Sequence, residues 1–341
     1  VTSRNYAWRR RIALYGDILG GGTSPTIQLS DNSQAENTSI GTTIGTLTVS
    51  NPSGVYTFSK TVDADAAFTL TGATLKNAII FNYEVATFHL VTISANNGVD
   101  TPLTRIFSIL VTDVNEAPVI SSNGGGATAA VSVAENTTAV TTVTATDVDA
   151  GTVFTYSISG GADASKFTIG SSSGILSFVT APDFETPTDA DTNNDYIVIV
   201  QVSDGALTDT QTITVSVTNA NEAPVITSNG GGTTASISVN ENTTAVTTVT
   251  ATDVDAGATL TYSISGGADS GKFSIGSSSG ILTFAVAPNF EVPTDADTDN
   301  VYVVTVQVSD GSLTDTQTIS VTVLDVSESS EVLPHFTLMF V

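Results

Sequence analysis

Along most of the chain, apolar and polar residues alternate one by one. In "FTYSIS" (154–159), Phe154, Tyr156 and Ile158 alternate with Thr and Ser, and in "QTITVSV" (211–217) Ile213, Val215 and Val217 do the same. Side chains along a strand point to opposite faces in turn, so this period of two predicts strands buried on one face. Gly, Asn and Asp interrupt the runs, as antiparallel turns require. About seven runs fit in each hundred or so residues, the number an immunoglobulin-like sandwich needs. No stretch carries a helical period. The pattern predicts an all-β chain of Greek-key β-sandwiches.

The pattern also recurs at long range. Residues 131–185 and 237–291 are identical at 43 of 55 positions with a constant offset of 106. The match continues through "QVSDG", "TDTQTI" and the junction "NEAPVI", and a diverged copy precedes both. A period near 100 residues suits arrayed domains better than a solenoid. The division is a basic arm at 1–23, a diverged repeat 1 at 24–117, repeat 2 at 118–222, repeat 3 at 223–326 and a tail at 327–341. Pro118 and Pro224 close the short junctions and restrict their backbone, which predicts a rod of three beads.

Charge narrows the partners. The chain holds 34 acidic and 9 basic residues for a net charge of −25, and Arg4, Arg9, Arg10 and Arg11 all lie in the arm. Such an acidic body repels nucleic acid and anionic membranes, and bound cations would neutralise its field. An apolar share of 40% argues against disorder. With no cysteine, disulfides, thiolate metal sites and Cys nucleophiles are excluded. His89 and His335 are the only histidines, and no Ser-His-Asp order recurs with the repeats, so catalysis is not expected. The Gly clusters at 124–126 and 230–232 precede no helix and read as bulges or turns rather than phosphate cradles. No apolar run approaches the ~18 residues of a membrane span. The start of the chain lacks the apolar core of a secretory signal, an expectation that leaves a fragment, another export route or intracellular assembly open.

The acids recur at fixed places. Each full repeat carries an early Glu135 (Glu241), the pair Asp147 and Asp149 (Asp253 and Asp255) in "ATDVDAG", Glu185 (Glu291) in "DFE" or "NFE", and Asp204 (Asp310) in "SDG". Further oxygen donors lie in the linkers. Hard oxygen ligands without His or Cys select Ca²⁺ over zinc or copper. Six to eight oxygens are needed, and no single segment supplies them, so the donors must converge from neighbouring repeats.

In this order, "AEN", "TDVDAG", "DFE", "VSDG" and "DVNEAP" resemble the motifs of the cadherin-type repeat, over about residues 24–326. The chain looks closer to bacterial and phage-type tandem versions than to animal cadherins. The resemblance implies Ca²⁺ between successive domains, rigidifying the rod. It implies that the first junction uses Glu36, Glu84, Asp113, Asn115 through its carbonyl, Glu116, Asp147, Asp149 and Asp204. For the second junction it implies Glu135, Glu185, Asn219, Asn221, Glu222, Asp253, Asp255 and Asp310. Glu241, Glu291 and Asp325 would form half a site. The pattern departs from the family at Phe184 and Phe290 (for Arg), at Ala117 and Ala223 (for Asn) and at Asn219 (for an acid), which predicts fewer or weaker ions at the second junction. Repeat 1 has "VSNPSG" where "ATDVDAG" is expected. Losing that pair costs nothing if it serves only a junction with a preceding repeat, which marks repeat 1 as the anchored end.

Two features fall outside the motif set. The loops "TDADTNND" (188–195) and "TDADTDN" (294–300) open like EF-hand loops, but Asn300 takes the glycine position and no Glu closes them. A solvated loop is favoured there over a local cation site at Asp189, Asp191 and Asp195. The arm holds the only basic-aromatic stretch, in which Tyr6, Trp8, Arg9, Arg10 and Arg11 read either as an unstructured end or as a segment docking into a larger assembly. The expected function is a non-enzymatic, calcium-rigidified extracellular adhesion or spacer module at a cell or virion surface. Its expected partners are other copies of itself, a larger surface assembly, or a cell-surface or glycan target. A virion decoration or fibre protein and a polysaccharide-binding accessory module are the alternatives.

Overall fold

The computed structural model describes residues 24–327. Tyr6, Trp8 and Arg9 to Arg11, proposed to dock, lie outside the described residues, as does most of the tail. Strands carry the described chain, and its only helical pieces are three-residue 3-10 turns at Ala164–Lys166, Ser228–Gly230 and Ser270–Lys272.

Alternation places the core. In Thr208–Thr218 the residues Gln211, Ile213, Val215 and Val217 face inward while the intervening Thr and Ser face out. Tyr156 is buried in Thr155–Gly160, as the "FTYSIS" pattern predicts. Three separate apolar clusters result. One is built around Phe68, Leu75 and Ile93, one around Leu176, Tyr196 and Ile213, and one around Leu282, Tyr302 and Ile319.

In repeat 2, Thr128–Ala134, Thr208–Thr218, Asp195–Ser203 and Thr155–Gly160 form a four-stranded sheet in that order. Its partner layer holds Ala139–Thr142, Ile175–Phe178 and Phe167–Ile169, with Val119–Ile120 and Ala145–Thr146 paired beside it. Repeat 3 has the same plan with Thr234–Asn240, Thr314–Leu324, Val301–Ser309 and Thr261–Gly266. Repeat 1 has two four-stranded sheets. In each repeat the second strand segment pairs parallel with the last strand, as Thr128–Ala134 does with Thr208–Thr218, while other pairs are antiparallel. This is the immunoglobulin-like Greek-key sandwich.

More strands are present than the alternation predicts, because the first strand breaks in two. Val119–Ile120 belongs to one layer and Thr128–Ala134 to the other, and the chain crosses between them at the Gly cluster. Asn123, Gly124 and Gly125 take positive φ there (52°, 86° and 66°), and the buried Gln211 side chain donates to the Gly126 carbonyl at 2.8 Å. The glycines are thus a sheet-switching turn pinned by a core amide.

A candidate cation-binding junction between repeats

The early glutamate of each repeat is a buried tie. Glu36, Glu135 and Glu241 are each 2% exposed. Glu135 accepts from the Phe184 N–H at 2.7 Å and the Ala220 N–H at 2.8 Å, fastening the "DFE" loop to the linker. Glu36 does the same with Tyr83 and Val114, and Glu241 with Phe290 and Val326. The backbone donors of Val326 and Phe290 hold Glu241 below the usual carboxylate range.

The strand-end pair then meets the linker. Asp147 accepts from the Asp149 N–H at 3.0 Å, and Asp149 accepts from the Glu116 N–H at 2.9 Å. Asp253, Asp255 and Glu222 repeat this at 3.0 and 2.8 Å. The Asn115 amide donates to Asp204 at 2.6 Å, and the Asn221 amide donates to Asp310 at 2.7 Å. These side-chain amides therefore lock the linker to the "SDG" turn, a role beyond the carbonyl donation that the resemblance implies for Asn115. Asn219 donates to Glu185 at 2.9 Å, so the Asn that replaces a linker acid sits within the same group.

Carboxylates converge around these ties without basic partners. Glu36, Glu84 and Asp113 can bring oxygens within 4.8 Å of one another, and so can Glu84, Glu116 and Asp149. At the second junction the sets are Glu135, Asp183 and Glu185, then Glu185, Glu222 and Asp255, while Glu241, Glu291 and Asp325 form a further group. Among the described residues the contacts between acidic and basic side chains are Lys60–Asp63 and His89–Asp65, both away from the junctions. Partial burial and then repulsion from Asp149 and Glu36 push Asp113 up, and burial followed by repulsion from Glu36 pushes Glu116 up. Burial with repulsion from Glu135 and others raises Glu185 and Glu222. Glu116 Oε2, Asp147 Oδ2, Glu222 Oε2 and Asp253 Oδ2 are solvent-excluded and accept no hydrogen bond.

Some participants escape the motif reading. Asp183 joins the second junction, but its counterpart is Asn289, so recurrence gave no signal for it. Asn37 and Asn136 donate to Glu116 and Glu222. Both directly follow the early Glu and hold φ of 57° and 60°, which recurrence in "AEN" and "NEN" could have flagged. In repeat 1 the loop lacking the acidic pair is closed differently, with Ser53 and Asn97 both donating to Asp100 at 2.8 Å.

Fold and junction together define a class, tandem β-sandwich repeats with acid-lined interfaces. The cadherin domain family model matches residues 129–218 and 234–324, and the chain belongs to that family. The family is one of extracellular, adhesion-type modules. Similar solved structures include human CDH23 EC21-23, at 17% identity and TM-score 0.56, with 86% of this chain and 99% of that chain covered. Mouse cadherin-23 EC22-24 shows 21% identity and TM-score 0.52 over 89% of this chain and 100% of that one. A protocadherin gammaB7 EC3-6 cis-dimer structure shows 24% identity and TM-score 0.53 over 87% and 77%. No curated protein sequence matches. At these identities the solved structures speak for the fold.

Proposed function

We propose that the chain is a non-enzymatic spacer of an extracellular adhesion module whose junctions are stiffened by Ca²⁺. The division into repeats at 24–117, 118–222 and 223–326 is part of the proposal. The observation that carries it is the set of orphaned junction oxygens on Glu116, Asp147, Glu222 and Asp253. A buried carboxylate oxygen without a hydrogen bond is costly, and a hard divalent cation is the partner that offsets it. The donor set fits, since every group is an oxygen and two facing repeats plus the linker contribute. Glu36, Glu84, Asp113, Glu116, Asp147, Asp149 and Asp204 would hold ions at the first junction, with the Asn115 carbonyl. Glu135, Asp183, Glu185, Asn219, Asn221, Glu222, Asp253, Asp255 and Asp310 would do so at the second. The ion would supply positive charge that binds linker and facing loops into one unit. Self-association of such rods is the proposed mode of adhesion, in line with the family's cis-dimer structure. Calorimetric titration of the full chain with Ca²⁺ tests the reading, with saturable binding expected. Substituting Asp147, Asp149, Asp253 and Asp255 by Ala should remove the junction ions and so lower the binding stoichiometry, and an unchanged isotherm would refute the assignment.

A further inference from the structure

The loops before Asp195–Ser203 and Val301–Ser309 lie outside the junction sets, yet they bury acids of their own. Asp163 and Asp189 are 3% and 4% exposed, and Asp269 and Asp295 are each 4% exposed. Asp163 accepts from the Ala190 N–H at 2.7 Å and the Ile197 N–H at 2.8 Å, tying the loop to the sheet, and Asp269 does the same with Ala296 and Val303. Asp189 accepts from the Asn193 N–H at 2.8 Å through Oδ2 and from the Asn194 N–H at 3.3 Å through Oδ1, and Asp295 accepts from the Asp299 N–H at 2.8 Å through Oδ2. The other oxygen of Asp295, Oδ1, is solvent-excluded and has no partner. Burial, the Asp189 carboxyl and repulsion from Asp163 push Asp191 up, while Asp299, partial burial and the Asp295 carboxyl push Asp297 up. Asp191 and Asp297 themselves lie exposed at the surface beside the buried Asp189 and Asp295.

Repeat 1 provides an internal comparison. There the acids preceding the core Phe68 meet basic side chains, Asp63 the Lys60 ammonium at 2.7 Å and Asp65 the His89 ring at 3.1 Å. His89 occupies the strand position that Tyr196 and Tyr302 fill in repeats 2 and 3, opposite Ile109, Val215 and Val321 respectively. Among the described residues of repeats 2 and 3, no Lys, Arg or His pairs with the corresponding acids. A buried carboxylate oxygen without a donor, as on Asp295, demands a counter-charge.

We propose that each of these two loops binds its own hard divalent cation, Ca²⁺ by its oxygen-only donors, through Asp163, Asp189 and Asp191 in repeat 2 and through Asp269, Asp295, Asp297 and Asp299 in repeat 3. Asp195 is not part of the set, because its carboxylate accepts from Ser216 on the sheet face at 2.5 Å. The site is separate from the junctions and does not rest on their reading. Its role is to pin the loop that leads from the "DFE" turn into the core strand.

Equilibrium dialysis of the full chain against Ca²⁺ tests this, with Asp191→Asn and Asp297→Asn combined as the loop variant. Both positions are exposed, so folding is retained. The loop variant should bind one ion fewer per loop than the parent chain, whereas a junction variant (Asp147, Asp149, Asp253 and Asp255 to Ala) should keep the loop ions. Tb³⁺ gives a second readout, because Tyr196 and Tyr302 accept hydrogen bonds from loop residues Thr188 and Thr294 at 3.1 Å. Tyrosine-sensitised Tb³⁺ emission should persist in the junction variant and fall by at least half in the loop variant. Equal ion counts for parent and loop variant, or emission indifferent to the loop substitutions, would overturn the proposal.

Discussion

A single buried glutamate shows how one side chain can order two segments. Glu135 is 2% exposed and receives backbone N–H groups from both the Phe184 turn and the linker at Ala220. Hydrogen bonds to charged groups contribute ~1.5–3 kcal/mol each, so Glu135→Ala should cost about 3 kcal/mol, read as a lowered denaturant midpoint in chelator. At Thr298 the expectation has the opposite sign. Its φ of 60° is left-handed, a region that a β-branched residue enters at a cost of ~1–2 kcal/mol and glycine enters freely. Thr298→Gly should raise stability by about 1 kcal/mol in thermal melts with calcium present. An unchanged or lower midpoint would mean that loop contacts outweigh backbone strain.

At the scale of elements, the linker and the loops that face it hold carboxyls shifted in opposite directions. A carboxyl whose pKa is raised in the folded state holds its proton more tightly there than when unfolded. Its stabilisation is fully present below the unfolded values of 3.8 for Asp and 4.5 for Glu, and is lost as pH rises through the elevated folded value. Asp113, Glu116, Glu185 and Glu222 have this sign. Asp204 and Asp310, held low by backbone N–H groups and an Asn amide, have the opposite one, contributing at neutral pH and failing as pH falls. Calcium requires the ionised forms, so the gap between melting temperatures with Ca²⁺ and with chelator should close as pH falls from about 7 toward about 4. A gap independent of pH would mean that these carboxylates do not hold the ion.

Much of this element-level order was legible in the sequence. Alternation in "QTITVSV" fixed which residues enter the core, and recurrence of "ATDVDAG" marked the strand-end acids. The split of the first strand was not legible, because a sheet switch depends on which neighbour pairs with each half and leaves only glycines as its trace. The amide locks from Asn115 and Asn221 were hidden for a similar reason. An Asn in a linker reads as a turn residue until its partner, 89 positions away, is brought alongside.

For the whole molecule, the net charge of −25 sets the problem that bound cations would solve. Three sandwiches with independent cores meet through short linkers, and carboxylates gather at the joints. On the proposed reading, like charges at each joint would repel without cations, and bound Ca²⁺ would draw the linker and the facing loops into one unit. Substituting Asp253 and Asp255 by Ala should loosen the second joint while each sandwich stays folded, since neither residue belongs to a core cluster. The most direct test of the account is small-angle scattering of the full chain with Ca²⁺ and with chelator. The account predicts a longer maximum dimension and a narrower distance distribution with Ca²⁺, reversed by chelator. Superimposable profiles under the two conditions would contradict it.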